Sequence, residues 1–161
     1  MPDAVDPVPE HLHTVTPRLV LDDAAAAIEF YRAAFGAEKL GEPFADPDGN
    51  VVHAEIRIGD SVVYVTDQGD ERDGAAPSGT GGRVTAVMAI TVPDVDRLWE
   101  QAVAAGCEVI YPLADQFYGE RGGRVRDPFG HQWMLSTHIE DVDRAELDRR
   151  MQAWSDDQSS G

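Results

Sequence analysis

Cysteine is nearly absent: Cys107 is the only one in 161 residues. A lone thiol cannot close an internal disulfide, which fits a reducing compartment. Its setting, AAGCEVIY, opens an apolar strand. The expectation is therefore a buried structural thiol, with a nucleophile as the alternative. No apolar run approaches the ~20 residues that span a bilayer, so no membrane partner is expected. The opening MPDAVDPVPEHLH has neither a basic n-region nor an apolar h-region. No secretory signal is expected from it, and a cytoplasmic location is the default. Basic residues are scarce too: 13 Lys and Arg stand against 30 Asp and Glu, a net charge of −17. That field repels a phosphate backbone and excludes nucleic acid as a partner class. It suits solubility and, at a pocket rim, a cationic ligand.

What is present is a pattern that occurs twice. Residues 1–12 hold three prolines and read as a flexible arm. TVTPRLVL (Thr14 to Leu21) reads as a strand, and Asp23 can cap the helix AAAAIEFYRAAFG. That helix has apolar Ala24, Ala27, Ile28, Tyr31, Ala34 and Phe35 at helical spacing and ends at Gly36. AEKLGEPF is a short strand, DPDGN a turn, and VVHAEIRIGDSVVYVT a hairpin about Gly59-Asp60. Residues 68–83 are polar, glycine-rich and aperiodic, a solvated linker without calcium-loop spacing. Then VTAVMAITV is a strand, and PDVDRLWEQAVAAGCE a helix with Val95, Leu98, Trp99, Ala102 and Val103 on one face, closed by Gly106. EVIYPL is a strand and GGRVRDPFGHQWMLST a hairpin. The two halves recur at a spacing of about 70 residues.

The expected fold class is α+β. Two βαβββ modules, about 13–67 and 84–138, form a curved mixed sheet with an internal cup and helices outside, as one domain over 13–142. A C-terminal helix over 143–154 follows, opened by Asp143 and Glu146 in capping-box spacing. Its stripe of Leu147, Met151 and Trp154 calls for packing across the sheet or onto a partner subunit. Residues 155–161 read as a disordered tail.

Period-two alternation puts His53, Glu55 and Arg57 on one face of their strand and Val52, Ala54, Ile56 and Ile58 on the other. The apolar set belongs under the helices, so the polar set faces the cup. His53 and Glu55 are a candidate acid/base pair, and equally a structural ladder of charges. By the same parity Arg18 joins Thr16, Tyr64 joins Thr66, and Gln132, Met134 and Ser136 share a face. Arg124 and Arg126 stand on the preceding strand, with Phe117 and Tyr118 available for apolar contact. His131 belongs to a turn, His138 and Glu140 could touch the cup rim, and His11 and His13 carry no assignment.

Four segments, TPRLVLDDAAAAIEFYRAAFGAE, HAEIRIGDS, DQFYGERGGRVRDPFGHQW and THIEDV, occur in an order that resembles the vicinal oxygen chelate superfamily. This is the glyoxalase, bleomycin-resistance and extradiol-dioxygenase group, and the likeness is to its PhnB-like branch. Metal-dependent members draw His or Glu ligands from the first and last strands of each module. Carried over by position, those places hold Thr16, Tyr64, Val87 and Met134 here, without a carboxylate or an imidazole. The resemblance thus implies no cofactor and no metal at the usual site. It implies a small-molecule binder akin to the bleomycin-resistance proteins, working as a homodimer. Its ligand would be cationic or aromatic, held by Thr16, Arg18, Arg57, Tyr64, Val87, Phe117, Tyr118, Arg124, Gln132 and Met134. The alternative is a lyase, isomerase or hydrolase on an oxygen-rich metabolite. It would use His53 and Glu55, or a divalent metal relocated to them.

Overall fold

The computed structural model describes residues 6–70 and 72–159, so parts of the expected arm, linker and tail (residues 1–5, 71 and 160–161) lie outside it. The chain divides after Val84 into two compact units. Each carries its own mixed sheet.

In the amino-terminal unit, strand β1 (Arg18–Leu21) leads into helix α1 (Ala24–Phe35). Two short strands follow, β2 (Glu38–Lys39) and β3 (Phe44–Ala45), then the hairpin β4 (Val51–Ile58) and β5 (Ser61–Asp67). The order is β1-β5-β4-β2, with β1 parallel to β5 and β3 also paired to β4. All six apolar positions of α1 are buried, against Leu19, Leu21, Ile56, Val63 and Val65 of the sheet. Asp23 caps the helix by accepting from the Ala26 N–H at 2.9 Å, and Gly36 closes it at φ 66°, a conformation only glycine adopts cheaply.

Three expectations change here. The first strand begins at Arg18 rather than Thr14, because Pro17 has no N–H to give a ladder, and Val15 is exposed. Val52 is exposed while Val51 is buried. The pairs Phe44↔His53 and Ala45↔Val51 leave Val52 as the extra residue of a β-bulge, so regular alternation starts only at His53. The segment after β5 is not wholly solvated either. Pro77–Thr80 form a 3₁₀ turn, Ala76 and Pro77 are buried, and the Ala76 N–H donates to Gln68 Oε1 at 2.6 Å.

The carboxy-terminal unit repeats the plan. Strand β6 (Met88–Thr91) leads to helix α2 (Val95–Ala105), then β7 (Glu108–Asp115), β8 (Glu120–Arg126) and β9 (Gln132–His138), in the order β6-β9-β8-β7. Val95, Ala102, Cys107, Val125, Trp133 and Leu135 form its core, whereas Val103, expected on the buried stripe, is exposed. The β8–β9 turn is organised by Asp127, itself buried. One carboxylate oxygen accepts from the Phe129 and His131 N–H groups at 2.9 and 3.0 Å, the other from the Trp133 indole at 2.9 Å. Gly123 leaves room for the Trp99 ring of α2: a Cβ there would stand 2.6 Å from it.

Helix α3 (Arg144–Ser159) runs past the expected end at 154, through most of the segment read as disordered. Asp143 Oδ1 accepts from the Glu146 N–H at 2.9 Å, and pairs one turn apart, Arg144–Asp148 and Glu146–Arg150, support the helix beyond. Leu147, Met151 and Trp154 do lie on this helix, but none is buried. Trp154 packs its ring 5.9 Å from that of Phe117.

Candidate functional site

Each unit presents a polar sheet face opposite its helix, and the two faces differ in kind. In the amino-terminal unit the register Arg18↔Tyr64 and Glu55↔Tyr64 sets these three side chains in a row. The His53 ring stands edge-on to Tyr64, with centroids 4.8 Å apart. Glu55 is shared by two imidazoles: Oε1 lies 3.2 Å from His53 Nε2, and Oε2 lies 3.0 Å from His11 Nε2. An ionised carboxylate only accepts, so each Nε2 carries the hydrogen in this arrangement. Arg57 pairs with Glu38, and Arg18 donates to Thr66 Oγ1 at 3.3 Å. Thr66 is buried, with its hydroxyl on the Val51 and Val52 carbonyls. The row is therefore internally satisfied. Thr16 lies just before β1 and is half-buried. His11, 44 residues from Glu55 in sequence, had no local signal to place it there.

In the carboxy-terminal unit, the pairs Arg124↔Met134 and Gly122↔Ser136 put these side chains on one face. They line a concavity of about 330 Å³ together with Tyr111, Tyr118, Gln116 and Glu120. Gly122 forms its floor: a Cβ there would come within 3.2 Å of Ser136 Cβ. The Arg124 guanidinium lies over the Tyr111 ring, 5.4 Å from its centroid, a cross-strand cation–π pair. Arg124 Nε is buried without a hydrogen-bond partner. Burial, then the charge of Glu120, push the Tyr118 phenol above its ordinary pKa, with Arg124 opposing them.

The structure thus gathers Tyr118, Arg124 and Met134 into one site. Phe117 stands behind Tyr118 with ring centroids 5.3 Å apart. Gln132 pairs with Arg126 at the strand end, outside the concavity lining, and Val87 lies just before β6, partly exposed. Sequence reasoning missed Tyr111, Glu120 and Gly122. Irregularities on either side of Tyr111 in the β7–β8 ladder break the parity that would have placed it.

The metal question can be put to the donors themselves. At the first- and last-strand positions the chain offers a Thr hydroxyl, a phenol, an alkyl group and a thioether, in Thr16, Tyr64, Val87 and Met134. Hard or borderline divalent ions take imidazole, carboxylate or thiolate ligands, so this set does not fit one. Among the described residues no group of three or more His, Cys, Asp or Glu side chains is arranged to hold a metal, His11, His53 and Glu55 included.

The model of the Glyoxalase/Bleomycin resistance protein/Dioxygenase superfamily matches residues 11–135. An uncharacterized protein of Mycobacterium tuberculosis is 39% identical over 145 residues, covering 88% of this chain and 84% of its own. Among solved structures, TioX from Micromonospora sp. ML1 is similar at 25% identity and a TM-score of 0.61, over 80% of this chain and 100% of that one. The PhnB protein of Bacillus cereus superposes at a TM-score of 0.58 and 18% identity, over 78% of this chain and 99% of that one. The fosfomycin resistance protein FosX of Listeria monocytogenes does so at 0.60 and 17%, over 84% and 97%. The last two likenesses concern the fold alone. No helix among the described residues is long and apolar enough to cross a membrane. With a matched model over most of its length and the strand-helix-strands plan in both units, the chain belongs to the glyoxalase/bleomycin resistance/dioxygenase superfamily.

Proposed function

We propose that the protein binds a small molecule in the concavity of its carboxy-terminal unit, without the metal ligands of its catalytic relatives, in the manner of a sequestration or resistance protein. The observation that carries this reading is the pair Met134 and Tyr111 beside Arg124. Where a metal-dependent relative would place an acidic or imidazole ligand, this chain has a thioether, next to an aromatic ring and Gly122, which leaves the floor open. Thioethers and aromatic rings supply contact area, and the few polar groups supply orientation. The family's description, which names bleomycin resistance proteins, supports the class of use and says nothing of the ligand. A homodimer is part of the proposal, and light scattering at working concentration checks it.

The test is a thermal-shift and calorimetric screen of small aromatic and oxygen-rich compounds against the full chain and Tyr118→Ala. Tyr118 is 39% exposed, so its removal should leave the fold intact. Saturable binding that weakens in Tyr118→Ala supports the proposal. Binding unaffected by that change, or no binding by any compound, sinks it.

A second reading is favoured by the His11–Glu55–His53 contacts, which are a proton-relay geometry on the amino-terminal face. Turnover of a screened metabolite that is abolished in both His53→Ala and Glu55→Gln would establish it.

A further inference from the structure

We infer that the concavity takes an anionic ligand, with a carboxylate or phosphoryl group on Arg124 and an apolar or aromatic body between Tyr111, Tyr118 and Met134. This rests on the binding role proposed above and reverses the charge expected from composition. In a chain with 30 acidic and 13 basic residues, carboxylate partners for an arginine are plentiful. The neighbours of Arg124 on β8 show this: Arg121 is bound by Asp96 and Asp115, and Arg126 by Glu108. Arg124, between them, has no carboxylate within ion-pair distance among the described residues. Its guanidinium lies over the Tyr111 ring instead.

Such an isolation has a cost, because a partly buried cation away from a counter-ion loses solvation that the ring quadrupole restores only in part. The planar fork of arginine suits a bidentate oxyanion, which would supply the missing partner. The site also contains one acid, Glu120. It stands on the same strand four residues away, about 13 Å along β8 at ordinary strand rise. Gly122 lies between the two, without a side chain to fill the gap. The concavity therefore has a positive end and a negative end, with an uncharged floor between. A flat ligand laid over Gly122 can put an oxyanion at Arg124 and leave its uncharged remainder short of Glu120.

The experiment titrates the full chain by calorimetry with four probes of similar size: phenyl phosphate, phenylacetate, benzyl alcohol and benzylamine. The inference predicts binding of one or both anions, at least tenfold tighter than the alcohol, and no detectable benzylamine binding. Arg124→Gln should weaken the anions tenfold or more and leave benzyl alcohol within a factor of about two, and Arg124→Lys should retain part of the affinity. Glu120→Gln should tighten the anions slightly. Phenyl phosphate exceeding phenylacetate identifies a phosphoryl ligand, and the reverse a carboxylate. If benzyl alcohol or benzylamine binds as well as the anions, or Arg124→Gln changes nothing, the inference is overturned while the binding role stands. If no probe binds, both fall. Circular dichroism and the melting temperature of Arg124→Gln show whether its loss reflects the charge or the fold.

Discussion

The two units share a scaffold down to single hydrogen bonds, and differ on the face the scaffold presents. In each, a side chain near the end of the last strand clamps the start of the helix. Asp67 Oδ1 accepts from the Ala24 N–H at 2.6 Å, and Thr137 Oγ1 accepts from the Val95 N–H at 2.9 Å. In each, an aspartate caps that helix, Asp23 in one and Asp94 in the other. Yet the amino-terminal face is a closed set of polar partners, Arg18 on Thr66, Glu55 on two histidines, Arg57 on Glu38. The carboxy-terminal face is open, with Arg124 lacking a carboxylate among the described residues and Gly122 lacking a side chain. A repeated frame can thus pair the polar groups of one half with one another and leave an arginine of the other without a carboxylate among the described residues. The difference lies in a few residues, Tyr64 against Met134 and Arg18 against Ala89, at matching register positions.

The largest effect should come from the core of the open unit. Trp133→Ala removes the largest fully buried side chain and one donor to Asp127. A loss of about 3–5 kcal/mol in urea unfolding is expected, exceeding that of Ile56→Val in the other unit, at about 1 kcal/mol. The helix clamps come next. Asp67 also accepts from the Val51 N–H at 2.7 Å, so Asp67→Ala orphans two backbone donors from a charged acceptor, where Thr137→Ala orphans one donor and the Val92 carbonyl, which can accept elsewhere. Expected costs are about 2–3 and about 1 kcal/mol, read from denaturant midpoints at unchanged slope. Equal losses would show that the two clamps hold their helices alike.

Cys107 gives a smaller and pH-dependent effect. Burial, with the charge of Asp127 adding to it, pushes its thiol up to about 12 from 9.0. A raised thiol pKa means that the unfolded chain ionises first. Its contribution to stability is full below pH 9 and is lost between pH 9 and about 12. Cys107→Ser should flatten that alkaline decline, and a disulfide reagent at pH 8 should label the native wild-type thiol far more slowly than the unfolded one. The smallest effect belongs to His11→Ala. The pair with Glu55 is partly exposed, so stability should fall by less than ~1 kcal/mol, read from the urea midpoint.

Much of the fold was legible because periodicity is local. The stripe Ala24, Ala27, Ile28, Tyr31, Ala34 and Phe35 needs only helical geometry, and all six positions are buried. The candidate site was legible in part, at Arg124 and Met134, where β8 and β9 pair without interruption, and at Tyr118 in the turn before β8. What was hidden depends on departures from regularity or on distant contact. The bulge at Val52 shifts parity by one, and the irregular β7–β8 ladder conceals Tyr111. His11 reaches Glu55 from an arm whose sequence has no period at all.

The contrast between a closed and an open face can be read directly by NMR. In a titration of the labelled full chain with phenyl phosphate and phenylacetate, the account predicts saturable shift changes at Tyr111, Gly122, Arg124 and Met134. His11, His53, Glu55 and Tyr64 should stay unmoved. Changes centred on His53 and Glu55, with the β7–β9 residues silent, would contradict it.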